Sequence, residues 1–178
     1  VQRALPELTR YPDGNGFTLK QALSERFGFE LSRITLGNGS NDVLELIGRA
    51  FAMPGVEVVF SQHAFAVYPI VTQAVGATAV QVPARNWGHD LPAMAAAITP
   101  ATRLVFIANP NNPTGTWFER AEFEAFMASV PEHVLVVLDE AYTEYVEPGA
   151  ALNGCDYIQR YPNLIVRRTP SKASGLAA

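Results

Sequence analysis

Cysteine is almost absent: Cys155 is alone in 178 residues, so no disulfide forms within the chain and no cysteine cluster holds zinc. His63, His89 and His133 are scattered, without the i, i+3 or i, i+4 spacing that puts two ligands on one helix face, and no metal site is expected. Charge is sparse as well. Thirteen Lys and Arg against 17 Asp and Glu leave a net charge of -4, and no basic run exceeds Arg167-Arg168, which argues against a nucleic-acid partner. No apolar stretch reaches the ~18 to 20 residues of a membrane span, so no membrane partner is expected. The start, Val1-Gln2-Arg3-Ala4-Leu5-Pro6, lacks the basic-then-apolar pattern of a secretory signal. It also lacks Met, and the chain is therefore expected to begin inside a longer one. What the sequence has is apolar mass: 48% hydrophobic content with 17% charged suffices for the core of one soluble domain over residues 1–178. The single cysteine fits a reducing, cytoplasmic location.

Short apolar runs alternate with segments of helical period. Residues 56–60, 78–82, 104–108, 134–139 and 164–167 are strand candidates, too short for helices and mostly aliphatic. Helix candidates are 19–27 closed by Gly28, 42–51 after a Gly-Asn turn, 66–75 closed by Gly76, 91–98 opened by Asp90 with Pro92 in its first turn, and 119–129. Strands alternating with helices predict an α/β fold, a mostly parallel sheet with helices on both faces. Glu119, Glu122 and Glu124 alternate with Phe118, Phe123 and Phe126, a pattern read as a solvated face opposite a packed aromatic stripe.

The chemistry-bearing residues sit where apolar runs end. Gly37-Asn38-Gly39-Ser40-Asn41 precedes a helix, and free N–H groups at a helix start favour an anion such as phosphate; an ordinary capping turn is the alternative. Residues 109–115, Asn-Pro-Asn-Asn-Pro-Thr-Gly, follow a buried-looking strand. Loops beyond the carboxyl ends of an open α/β sheet form its ligand crevice, so Asn112 is placed to reach a ligand oxygen, unless the asparagines only bond their own backbone. Asp139 ends a continuously apolar strand, where a carboxylate needs a cation or hydrogen bonds; a protonated pyridine nitrogen is one such cation. Tyr142 follows three residues on. Lys172 follows the last strand after Thr169-Pro170-Ser171, and an amine held near a carbonyl forms a Schiff base; the alternative is a solvated lysine. A carboxylate and an amine converging at strand ends are what pyridoxal phosphate requires.

In order along the chain, Arg10-Tyr11-Pro12-Asp13-Gly14, the 37–42 turn, Ala64-Phe65-Ala66-Val67-Tyr68-Pro69, residues 109–115, Asp139-Glu140-Ala141-Tyr142 and Ser171-Lys172 resemble the fold-type I pyridoxal phosphate enzymes, most closely the histidinol-phosphate aminotransferases. The resemblance implies the large, cofactor-binding domain of that fold. It implies that Lys172 carries the cofactor Schiff base and shuttles the proton, that Asp139 pairs with the ring nitrogen, and that Asn112 and Tyr142 bond the ring oxygen. Phe65 would stack on the ring, Ser40, Asn41, Thr169 and Ser171 would bind the phosphate, and Tyr11 would reach the phosphate of a neighbouring subunit in a homodimer. The implied reaction moves an amino group between L-histidinol phosphate, the donor, and 2-oxoglutarate, the 2-oxo acid acceptor, in histidine biosynthesis. An aromatic or broad-specificity aminotransferase, a phosphothreonine decarboxylase of the same fold, and a non-catalytic binding module are the alternatives. Pro170 and Ser174 stand where the family has bulky residues, so the lysine loop is expected to be altered. The family's phosphate-binding arginine and small C-terminal domain are expected to lie past residue 178, leaving a large-domain fragment of weak or no turnover. Arg85 and Arg103 are expected away from the crevice.

Overall fold

Five apolar strands pair side by side in a wholly parallel sheet of order β2-β1-β3-β4-β5, where β1 is Glu57–Ser61, β2 Thr78–Val82, β3 Thr102–Ala108, β4 Leu135–Asp139 and β5 Leu164–Arg167. The computed structural model describes residues 5–6, 9–147 and 152–175 in two units, 1–37 and 38–178, and the sheet belongs to the second. Four helices accompany it: α2 (Ser40–Phe51), α3 (Val67–Ala74), α4 (Leu91–Ala96) and α5 (Arg120–Ser129). In the first unit α1 (Phe17–Phe27) starts where the Asp13 carboxylate accepts the Asn15 and Phe17 N–H groups, and it ends at Gly28, whose φ of 74° suits a residue without Cβ.

Successive strand residues point to opposite faces, and the core divides accordingly. Val58, Phe60, Leu104, Phe106 and Val137 pack with Leu44 and Ile47 of α2 and Tyr68 of α3. Val59, Val105, Ile107, Val136 and Leu138 pack on the other face with Met94 of α4 and Phe123, Phe126 and Met127 of α5. Helices on both faces explain why the central strands read as unbroken apolar runs rather than alternating ones. Both faces of β1, β3 and β4 are therefore largely buried.

The expected strands at 78–82 and 164–167 coincide with β2 and β5, and the others differ by one or two residues at an end. The larger difference is at β3, which begins at Thr102 because Thr102 pairs in register with Glu57 and its hydroxyl donates to the Glu57 carboxylate at 3.1 Å. Asp90 caps α4 through the Ala93 N–H at 3.1 Å, as its position ahead of Pro92 predicts. Glu119 and Glu122 form a reciprocal capping box at the start of α5. Glu124 is not simply solvated: it accepts the Tyr157 hydroxyl at 2.6 Å.

Candidate active site

The carboxyl ends of β4 and β5 carry opposite charges side by side. Asp139 and Arg167 are register partners and share the parity of Val137 and Ile165, so both lie on the α2/α3 face. Asp139 is 3% exposed and Arg167 4%. Asp139 Oδ1 accepts from Arg167 Nη1 and from the Ala141 N–H at 3.1 Å, while Oδ2 accepts the Tyr68 hydroxyl at 2.8 Å. Tyr68, fully buried, lies flat against Phe106 with centroids 4.8 Å apart. Burial, then the adjacent Asp139 charge, pushes its phenol well above the ordinary 10, which keeps it a donor. The cation that Asp139 needs is thus Arg167, a residue that sequence reasoning passed over. Its signal was two neighbouring apolar strands ending in opposite charges, legible only once the two strands are known to pair.

Ser40, Phe65, Asn112, Asp139, Tyr142 and Lys172 line one cavity of about 40 Å³, with Tyr68 and Arg167 in the same wall. They arrive from separate parts of the fold: Ser40 opens α2, Phe65 precedes α3, Asn112 follows β3, Asp139 ends β4 with Tyr142 just beyond it, and Lys172 follows β5. Phe65 meets Tyr68 edge-on at 5.9 Å, and Lys172 Nζ stands 5.7 Å from the Tyr142 ring centroid. The Asn112 loop is braced by its neighbours. Asn109 both donates to and accepts from the Phe118 backbone, and Asn111 donates to the His63 carbonyl at 2.7 Å and to the Thr114 hydroxyl. Asn112 and Tyr142 also line an adjoining cleft of about 620 Å³, together with Trp117 and Tyr145.

The remaining predicted residues are not gathered into that cavity. Thr169 and Ser171 bond each other through their hydroxyls at 2.8 Å, Asn41 is exposed, and Tyr11 is fully exposed in the 1–37 unit. Pro170 and Ser174 are exposed in a turn closed by the Gly175 N–H to the Lys172 carbonyl, so the lysine sits on a turn rather than a helix. Arg103 is at the amino end of β3, bonded to the Pro100 and Thr102 carbonyls, away from the crevice as expected. Arg85 departs from expectation: it follows the carboxyl end of β2, where its guanidinium stands 3.9 Å from Asp90.

One residue beyond the first ion pair a second faces the other way. Glu140, 1% exposed, accepts the Gly154 N–H at 2.6 Å and Arg168 Nε at 2.8 Å, and Arg168 also donates to Asn153. Burial pushes the Glu140 carboxyl up, and Arg168 opposes that shift. This pair fixes the 152–157 segment over the end of β4. Behind β3, burial pushes the His89 imidazole down to about 4, and its Nε2 accepts the Ala108 N–H at 3.1 Å. Among the described residues no group of three or more His, Cys, Asp or Glu is arranged to hold a metal.

The chain is 65% identical over its whole length to histidinol-phosphate aminotransferase 2 of Pseudomonas fluorescens Pf-5 and 61% identical to that of Pseudomonas aeruginosa PAO1, spanning 48% of each. Its fold superposes on histidinol-phosphate aminotransferase from Sinorhizobium meliloti, a structure solved in complex with pyridoxal-5'-phosphate, with a TM-score of 0.91 and 35% identity, covering 99% of this chain and 48% of that one. The chain therefore spans about half the length of the curated relatives it matches. No helix among the described residues is long and apolar enough to cross a membrane. Residues 2–178 match the model of the aminotransferase class I and II family, and with an amine, a carboxylate and two ring-sized aromatics meeting at the sheet's carboxyl end, the chain belongs to that family.

Proposed function

We propose that the protein carrying this chain is a pyridoxal-phosphate-dependent transaminase that moves the amino group of L-histidinol phosphate to 2-oxoglutarate, and that residues 1–178 are its large, cofactor-binding domain. The observation that carries the cofactor reading is the convergence of Lys172, Asp139, Asn112, Tyr142, Phe65 and Ser40 on one cavity. The donor set fits the group: an amine for an aldehyde, an aromatic for a ring face, hydroxyl and amide donors for oxygens. The small cavity shares Pro110, Asn112 and Tyr142 with the 620 Å³ cleft, so there is room beside it for cofactor and substrate together. The choice of substrate rests on the 65% and 61% identities.

When bound, the cofactor supplies an electron sink for the carbon that loses its proton. The chain's residues supply the rest. Lys172, on its turn at the cavity rim, holds the aldehyde and is the base that takes and returns the proton. The Tyr142 ring stands beside its Nζ, 5.7 Å from the centroid. Asn112 and Tyr142 bond the ring oxygen, Phe65 covers the ring, and Ser40, Asn41, Thr169 and Ser171 take the phosphate. The Thr169–Ser171 bond orders those two hydroxyls beforehand. Tyr11 completes the phosphate site of a second copy in a homodimer. The location is cytoplasmic.

Turnover of histidinol phosphate, phenylalanine and phosphothreonine by the complete protein, each with 2-oxoglutarate, tests the substrate. Histidinol phosphate is expected to be the best of the three by kcat/KM; no turnover of it rejects the assignment.

A further inference from the structure

The pairing of β4 with β5 ends at Asp139 and Arg167, and both strands then run into the loops that carry Tyr142 and Lys172. Just past those partners the Glu140 N–H still reaches the Arg167 carbonyl at 2.9 Å. Side chains then take over from the backbone. Glu140 Oε2 accepts Arg168 Nε at 2.8 Å, Arg168 Nη2 donates to Asn153 Oδ1 at 2.7 Å, and Glu140 Oε1 accepts the Gly154 N–H. The Glu140 carbonyl accepts the Thr143 N–H at 3.3 Å, which closes the turn holding Tyr142. On the other strand Arg168 leads directly into Thr169, whose hydroxyl accepts the Ser171 N–H at 3.3 Å. The ion pair thus joins the two loops at their roots. A Cβ on Gly154 would stand 2.7 Å from Leu138 Cδ2 and 2.8 Å from Val166 Cγ2, so glycine is what lets the backbone at 154 reach the buried carboxylate.

We propose that the Glu140–Arg168 pair is a positioning element for the Schiff-base lysine, a staple that fixes the loop bearing Lys172 against the loop bearing Tyr142 without touching cofactor or substrate. The inference rests on the pyridoxal phosphate reading above. Glu140 and Arg168 each follow a residue of the α2/α3 face, so they face the opposite way, and neither lines the cavity. Tyr142 and Lys172 lie only a few residues beyond the pair, and their separation, 5.7 Å from Nζ to ring centroid, is set by how the strand ends are held. Misplacing a reacting group by about 1 Å costs on the order of 100-fold in rate, so a pair outside the cavity still bears on turnover. Charge alone does not reproduce the staple: a guanidinium directs several donors from one rigid plane, whereas a lysine ammonium is a point charge on a flexible stem.

The test uses the complete protein loaded with pyridoxal phosphate, and the variants Arg168→Gln, Glu140→Gln and Arg168→Lys. Two readouts are taken: the pH titration of the visible absorption of the lysine-bound cofactor, and kcat with KM for the best amino donor. In Arg168→Gln and Glu140→Gln the titration midpoint is expected to rise by about one pH unit, the scale of one charge-assisted hydrogen bond, because the Tyr142 hydroxyl is no longer aligned with the ring oxygen. Their kcat is expected to fall about 10- to 100-fold with KM unchanged. Arg168→Lys keeps both charges and is expected between wild type and Arg168→Gln in both readouts, which separates alignment from charge. A wild-type midpoint in either glutamine variant, or a loss confined to KM or to thermal stability, overturns the proposal. Where the glutamine variants do not fold, a wild-type midpoint or kcat in Arg168→Lys overturns it. If the wild type takes up no cofactor, or Lys172→Ala shows the same absorption, the cofactor reading has failed, and this inference falls with it.

Discussion

Removing one partner of the Asp139–Arg167 pair is expected to cost far more than removing both. Arg167→Met leaves a carboxylate that is 3% exposed with only the Ala141 N–H and the Tyr68 hydroxyl for compensation. Asp139→Leu leaves a buried guanidinium and also deprives Tyr68 of its acceptor. Breaking a buried pair from one side costs about 3–5 kcal/mol, with Asp139→Leu toward the top because an orphaned buried hydroxyl adds about 1–3 kcal/mol. Replacing the pair by apolar groups is close to neutral, so the double variant should lose only the Tyr68 contribution, about 1–3 kcal/mol. The coupling is then at least about 3 kcal/mol, several times what an exposed pair gives. Urea unfolding of the four proteins at neutral pH, followed by circular dichroism, measures it. Single variants adding to the double within about 0.5 kcal/mol would mean that the two side chains do not depend on each other, and the reasoning would be refuted.

Three further outcomes follow from the same structure. The folded-state pKa of His89, about 4, lies below its ordinary 6.5, so the unfolded chain binds the proton first; the stability this contributes is complete above 6.5 and lost as pH falls toward 4. That loss is about 3 kcal/mol, and it should be absent from the pH series of denaturant midpoints in His89→Gln. A Cβ on Gly48 would stand 2.2 Å from Val71 Cγ1, so Gly48→Ala should destabilise by about 1–3 kcal/mol despite its better helix propensity, with Val71→Ala recovering part of the loss in thermal unfolding. Tyr68→Phe strips Asp139 Oδ2 of its hydroxyl donor and should cost about 1.5–3 kcal/mol in the same urea assay.

The central strands were legible because β1, β3 and β4 are buried on both faces, and the outer two because turn residues bound them. Residues 78–82 and 164–167 are aliphatic runs between turn residues, and Asp90 with Pro92 marks a helix start whatever surrounds it. Asp139 and Lys172 stood out for the same reason, as polar groups where apolar runs stop. Arg167 was invisible as a functional residue because its meaning depends on β5 lying beside β4 in a particular register, a long-range property that no local pattern encodes. Tyr68 was read only as part of a motif; that it reaches across from α3 to Asp139, 71 positions away, is likewise a product of packing. Glu124 departed from expectation because it took a partner that periodicity alone does not supply, and Arg85 because β2 ends three residues before it.

The central claim is that the amine at the end of β5 is the group that holds the cofactor aldehyde, and the chain provides its own control, since Lys20 is its other lysine. Incubation with pyridoxal phosphate, reduction with borohydride and peptide mapping by mass spectrometry should find the phosphopyridoxyl group on Lys172, with Lys20 unlabelled and no label in Lys172→Ala. Equal labelling of Lys20 and Lys172 would contradict the account.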